Sequence, residues 1–143
     1  SQYMLRYNLS WSRLFLDEEA YDEARVRCDS ALEFSTALSR GPVFQLIAEI
    51  NVRDKQYEEA FDACEEALRI NPNYPDALMT LAKAYHGKGD VAMTKEIGGR
   101  LLDFWKDADA DFLMLQNLRE LLGGEKPPSV TSPTTAFIAS ASD

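Results

Sequence analysis

The chain has 143 residues, of which 45% are apolar and 27% are charged, a composition that excludes a chain disordered throughout. Its 15 Lys and Arg against 24 Asp and Glu give a formal net charge of −9, which opposes binding to nucleic-acid phosphates and to anionic membrane surfaces. No apolar run approaches the roughly 20 residues that span a bilayer. Arg6 and Arg13 interrupt the first apolar pattern, so the sequence predicts no signal peptide. We expect neither nucleic acid nor a membrane among the partners.

An internal repeat organises most of the chain. The segment Tyr21-Asp22-Glu23-Ala24 returns 36 residues later as Tyr57-Glu58-Glu59-Ala60. With the same offset, Cys28, Ala31 and Leu32 return as Cys64, Ala67 and Leu68, and a weaker third copy follows 34 residues further on with Thr94, Gly98, Leu101 and Leu102. A period of this length is the signature of a repeat architecture.

Each copy is predicted to contain two helices. The first copy has apolar residues at Leu5, Leu9, Trp11, Leu14 and Phe15 before a polar break at Asp17-Glu18-Glu19. The second copy opens at Gly41-Pro42, has Phe44, Ile47, Ala48 and Val52 on one helical face, and closes at Asn71-Pro72-Asn73-Tyr74-Pro75. The third has Leu78, Leu81, Ala82 and Tyr85 at helical spacing, and then Gly87-Lys88-Gly89-Asp90, where Asp90 is a predicted N-cap.

These residues resemble the tetratricopeptide repeat, a family with a 34-residue helix-turn-helix unit. Leu78, Leu81, Ala82 and Tyr85 match its positions 4, 7, 8 and 11, and Ala60, Ala67 and Pro72 match positions 20, 27 and 32. The resemblance implies an all-α, right-handed superhelical solenoid of antiparallel helix pairs. Its repeats are expected at about residues 5–38, 41–74 and 75–108, within a domain of residues 1–122. Asn51 stands at an aromatic position, where we expect weaker packing.

The end of the chain is predicted to differ from the repeats. An apolar helical stripe at Phe112, Leu115, Leu118, Leu121 and Leu122 predicts a capping helix over residues 110–122. Gly98-Gly99 within the preceding helix is explained either by close approach of this helix or by a kink. Residues 123–143 are rich in Pro, Ser and Thr and predict a flexible tail.

Residues that carry chemistry are few and have plain structural explanations. Cys28 and Cys64 occupy a position that usually faces the core, so we expect buried, inert thiols. His86 is the only histidine and is expected on the surface near a helix end. Asp107, Asp109 and Asp111 lack the Gly and Glu of a calcium loop, so helix capping explains them better. We expect no metal, no cofactor and no enzymatic activity.

The family resemblance implies a protein or peptide partner held in a concave groove formed by the first helix of each repeat. The groove positions of the family fall on Leu9, Arg13, Leu16, Gln45, Glu49, Val52, Met79, Lys83 and His86. The two-carboxylate clamp of the subgroup that binds chaperone C-termini is absent here. The sequence therefore predicts an adaptor or scaffold, located in the cytoplasm because its cysteine usage suits a reducing compartment. The alternative is a self-associating fragment of a longer repeat or multidomain signalling protein, forming a homo-oligomer through its terminal helix or its tail.

Overall fold

The computed structural model of the chain describes residues 1–105 and 112–123. These residues form seven α-helices and no strand. The helices are α1 (Gln2–Asp17), α2 (Tyr21–Glu33), α3 (Arg40–Arg53), α4 (Tyr57–Ile70), α5 (Pro75–Lys88), α6 (Val91–Trp105) and α7 (Phe112–Leu121). Consecutive helices pack as the hairpins α1–α2, α3–α4 and α5–α6. The predicted all-α solenoid of helix pairs is confirmed, and α7 is the predicted capping helix.

Small residues in the second helices allow the helices to approach one another closely. Ala24, Cys28 and Ala31 of α2 are fully buried in one core cluster with Leu46 and Ile50 of α3. Residues equivalent to these in α4, namely Ala60, Cys64 and Ala67, are also fully buried. The spacing of three to four residues places each set on one helical stripe, so a neighbouring helix can pack along it.

The last hairpin is closed by the capping helix. Leu118 of α7 is fully buried in a cluster with Leu78, Ile97 and Leu101. A Cβ atom at Gly98 of α6 would lie 2.6 Å from the Leu122 side chain. The close approach of Leu122 to α6 therefore explains the glycine at this position. At the start of the same helix, the Asp90 carboxylate accepts a hydrogen bond from the Met93 backbone N–H at 3.0 Å, which confirms the predicted N-cap.

Each hairpin turn contains one residue with left-handed backbone geometry. Glu19 and Lys55 both have a φ of 59°, and Gly89 has a φ of 80°. The three positions are 36 and 34 residues apart, so the repeat conserves the turn conformation while the residue type changes. Only Gly89 adopts that conformation without steric cost.

Candidate functional site

The first helices of the three hairpins lie in a row. Helix α3 packs against both α1 and α5, so one side of each helix contributes to a shared surface, which we call the first-helix face. Arg13, Glu49 and Lys83 are spaced 36 and 34 residues apart and therefore occupy the same register position on α1, α3 and α5. The first-helix face thus carries a row of charges with the signs plus, minus, plus.

The nine predicted groove residues differ in exposure. Arg13, Lys83 and His86 are exposed, while Leu9, Gln45, Glu49 and Val52 are half-buried. Leu16 and Met79 expose only 2% and 3% of their surface. Those two side chains belong to the core clusters beneath the helices, so they support the first-helix face and offer almost no surface to a ligand.

Hydrogen bonds connect the middle of this face to the third hairpin. The Gln45 amide Nε2 donates to Thr80 Oγ1 at 3.4 Å, and the Thr80 hydroxyl donates to the Asp76 backbone carbonyl at 2.9 Å. The Gln45 Oε1 atom is buried and has no hydrogen-bond partner among the described residues. Nearby on α3, an Arg53 guanidinium nitrogen donates to Glu49 Oε1 at 3.3 Å, which holds the central negative charge in place.

Tyr74 and Asp76 also belong to the electrostatic surroundings of this face, although the sequence pattern did not single out Tyr74. Burial raises the pKa of the Tyr74 hydroxyl, the Asp76 carboxylate raises it further, and Arg13 acts in the opposite direction. Arg13 is 61 positions away in sequence, so this proximity arises only from the stacking of the hairpins. The Asn71–Pro75 segment was predicted as a turn, and no periodicity marks one of its residues as part of a site.

The two cysteines are buried, unpaired thiols, as predicted. Both Cys28 and Cys64 are free and fully buried. Burial raises the pKa of Cys28 to about 11 and that of Cys64 to about 12. Cys28 stays lower because its sulfur lies 3.1 Å from the Ser12 hydroxyl and shares a hydrogen bond with it. Since a thiol must ionise to act as a nucleophile or metal ligand, neither cysteine is suited to catalysis.

A polar network replaces the aromatic contact expected at Asn51. Asn51 is buried, and its Oδ1 accepts a hydrogen bond from Arg25 Nε at 2.9 Å. Arg25 also pairs with Asp22 at 2.9 Å and with Asp54. The network joins α2 to α3, so the position expected to weaken packing is satisfied by hydrogen bonds between hairpins.

The described residues provide no metal centre and no spanning segment. Within residues 1–105 and 112–123, no three His, Cys, Asp or Glu side chains are grouped to hold a metal ion. None of the seven helices combines the length and apolarity that crossing a bilayer requires. The Asp107 to Asp111 segment and the tail after residue 123 lie outside the described residues.

Comparison with known proteins adds one family match. Residues 52–92 match a family model described as "Tetratricopeptide repeat". The matched segment runs from the end of α3 through α4 and α5 into α6. No curated protein matches the chain.

Proposed function

We propose that this tetratricopeptide-repeat chain is a non-catalytic protein-interaction module that binds a segment of a partner protein along its first-helix face. The family match supports a role in protein–protein interaction. The observation that carries the finer proposal is the charge row formed by Arg13, Glu49 and Lys83. Acting as an adaptor or scaffold, such a module needs no cofactor, and its two unpaired thiols favour the cytoplasm.

The spacing of the charge row specifies the pattern of the bound segment. Adjacent packed helices lie about 8–10 Å apart, and an extended peptide advances about 3.3 Å per residue. One repeat therefore corresponds to about three ligand residues. A segment that pairs with Arg13, Glu49 and Lys83 in turn would carry an acidic residue, a basic residue three positions later, and a second acidic residue three positions after that.

Neighbouring side chains suit an extended peptide. Leu9 and Val52 are half-buried and offer apolar contacts between the charged positions. The Gln45 amide faces the seam between α3 and α5, and rotation of this side chain would let its oxygen accept a hydrogen bond from a ligand N–H. Such contacts add specificity because a wrong ligand leaves buried polar groups unpaired.

Charge reversal with a matched control tests the proposal. The groove variant combines Arg13→Glu, Glu49→Arg and Lys83→Glu. The control variant combines Arg69→Glu, Glu65→Arg and Lys95→Glu, which makes the same change in net charge at exposed positions of α4 and α6. All three proteins would be used to capture partners from lysate, with mass spectrometry as the readout.

We expect a partner that the intact chain and the control variant retain and the groove variant loses. Equal capture by all three proteins would move binding to another surface and contradict the proposal.

The second candidate function, self-association, is favoured by the exposed apolar side chains of α1, among them Tyr3 and Leu14. Sedimentation would reveal it as a dimer whose mass is unchanged in the groove variant.

A further inference from the structure

Helix α1 carries an exposed aromatic stripe apart from the first-helix face. We call the surface formed by Tyr3, Tyr7, Trp11 and Leu14 the end face. These side chains are 72%, 39%, 37% and 45% exposed. The ring centroids of Tyr3 and Tyr7 are 6.2 Å apart, and those of Tyr7 and Trp11 are 6.3 Å apart. A contiguous aromatic surface of this kind is typical of a binding surface.

The repeat shows what kind of element covers this register position elsewhere in the molecule. Tyr7, Trp11 and Leu14 correspond to Val43, Ile47 and Ile50 of α3, 36 residues later. Val43 and Ile50 are fully buried in a cluster shared with the preceding hairpin, and Ile47 packs against the same cluster. The equivalent residues of α5, Ala77 and Ala84, are also fully buried. The residues at this register position are covered by α2 on α3 and by α4 on α5. The end face is therefore a surface on which an α-helix can pack.

Charge indicates the chemistry of the helix that would fit. Among residues 1–12 the only charged side chain is that of Arg6, in a chain whose net charge is −9. Arg6 lines a shallow groove together with Tyr3, Tyr7 and Trp11. On the other side of the stripe, the Arg27 guanidinium carbon lies 6.0 Å from the centre of the Tyr7 ring. The end face is therefore an aromatic strip with a cation on each edge.

The helix that precedes α5 has the complementary character. Helix α4 presents Ala60, Cys64 and Ala67 on its packing stripe, and two acidic residues, Glu59 and Glu66, flank that stripe on one side at the helical spacing of about 3.6 residues per turn. A helix of this type would place small residues against the bulky rings and its flanking acidic residues near an arginine at one edge of the end face. Small residues are required because Tyr7 and Trp11 are larger than the Val and Ile of α3.

We infer that the end face binds an acidic amphipathic α-helix of a partner protein, with its stripe of small apolar residues against Tyr3, Tyr7 and Trp11. A second copy of this chain fits less well. The small-residue stripe of its own α4 is fully buried in the folded chain, so a second copy cannot present it. A two-fold contact through α1 would also bring Arg6 and Arg27 of both copies to one interface.

A peptide with the sequence of α4 serves as the probe. The peptide covers Tyr57–Ile70, carries Cys64→Ala, and is held helical by a side-chain lactam between Glu65 and the lysine of an Arg69→Lys change, because a short isolated helix is marginal in water. A matched neutral peptide carries Glu58→Gln, Glu59→Gln, Asp62→Asn and Glu66→Gln. The full chain is used with Trp105→Phe, so that Trp11 is its only tryptophan and its fluorescence reports binding.

We expect saturable binding of the acidic peptide in the micromolar range, with a change in Trp11 emission. Removal of a central aromatic contact typically weakens binding about 30-fold, so Tyr7→Ala should do so in a calorimetric titration. Tyr3→Ala, at the most exposed position of the stripe, should weaken binding about tenfold without affecting the fold. Arg6→Glu and the neutral peptide should each weaken binding, and the remaining affinity should become less sensitive to salt.

Two controls separate this proposal from the proposed function. Leu38→Ala removes an apolar side chain that is 89% exposed and lies outside the end face, and it should leave peptide affinity unchanged. The groove variant of Arg13, Glu49 and Lys83 should also bind the peptide within about threefold, because none of its changes lies on the aromatic stripe. Absence of saturable binding would overturn the inference. It would also be overturned if the Tyr3→Ala and Tyr7→Ala variants bound the peptide as tightly as the intact chain does. So would a dimer in sedimentation that Tyr3→Ala abolishes, since a second copy would then occupy the face.

Discussion

The first two hairpins share a register and differ on one side. In both α1–α2 and α3–α4, the small residues of the second helix are fully buried, as with Ala24 and Ala60. Leu14 of α1 is nevertheless 45% exposed, while Ile50, its equivalent in α3, is completely buried. The repeat therefore sets which side of a helix is apolar, and the neighbouring helix decides whether that side is core or surface. Substitutions at matched positions of the two hairpins should therefore have different effects.

The largest difference is expected between Ile50→Ala and Leu14→Ala. Ile50→Ala leaves a cavity between hairpins and should lower the free energy of unfolding by about 2–5 kcal/mol. Leu14→Ala removes a side chain that is already half in solvent, so it should change that free energy by less than about 1 kcal/mol. Urea unfolding followed by circular dichroism measures both. Equal losses would mean that the outer side of α1 is covered in solution.

The next largest effect is expected from the two thiols at alkaline pH. Folding raises the pKa of Cys28 to about 11 and that of Cys64 to about 12, from the ordinary value of 9.0 for a cysteine thiol. Above pH 9 the unfolded thiols ionise while the folded ones keep their protons, so stability present at lower pH is lost as pH rises. At pH 10 the loss is about 1.4 kcal/mol per thiol.

Comparison with a double variant isolates this contribution from other titrating groups. Between pH 8 and pH 10, the chain with Cys28→Ala and Cys64→Ala should lose about 2–3 kcal/mol less stability than the intact chain. Urea unfolding at the two pH values gives the difference. Parallel losses in both proteins would show that the thiols are not buried as described.

A smaller effect is expected where the hairpins differ in a buried hydroxyl. The Ser12 hydroxyl donates to the Ala24 carbonyl at 2.8 Å and contacts Cys28, whereas Ala48 takes its place beside Cys64. Ser12→Ala should cost about 1 kcal/mol of unfolding free energy. It should also raise the pKa of Cys28 toward that of Cys64, which is measured by the pH dependence of thiol alkylation. An unchanged Cys28 pKa would contradict the role of this hydrogen bond.

The smallest effect is expected in the turns within the hairpins. Glu19→Gly and Lys55→Gly should each stabilise the chain by about 0.5–1 kcal/mol, because glycine removes the steric cost of a positive φ. Glu18→Gly is the control, since Glu18 has a φ of −87° and gains nothing from glycine. Thermal unfolding compares the three variants, and a Glu18→Gly chain as stable as the other two would rule out backbone strain as the cause.

The sequence predicted the helices because they follow from local periodicity, and it predicted the burial of Cys28 and Cys64 because both occupy the same position of the repeat. It placed Leu16 and Met79 in the groove, whereas both are buried in the core. A helical pattern gives the direction of a side chain, but it does not show how far the next helix extends over it. One sequence therefore does not show whether a residue at the border of the first-helix face is exposed to a ligand or buried between helices.

The sequence pattern did not predict the contacts between hairpins either. Asn51 was expected to weaken packing, yet Arg25 of the first hairpin satisfies it, and Arg25 by itself resembles a solvated surface residue of α2. The proximity of Tyr74 to Arg13 depends likewise on how the hairpins stack. Both arise from residues far apart in sequence, which a repeat pattern does not pair.

Peptide selection tests the central claim, that the charge row of the first-helix face recognises its partner, most directly. A library of random peptides would be selected in parallel on the intact chain and on the variant with Arg13→Glu, Glu49→Arg and Lys83→Glu. We predict that the intact chain enriches acidic, basic and acidic residues at intervals of about three, and that the variant enriches the opposite signs. The same enriched pattern on both proteins would contradict the account.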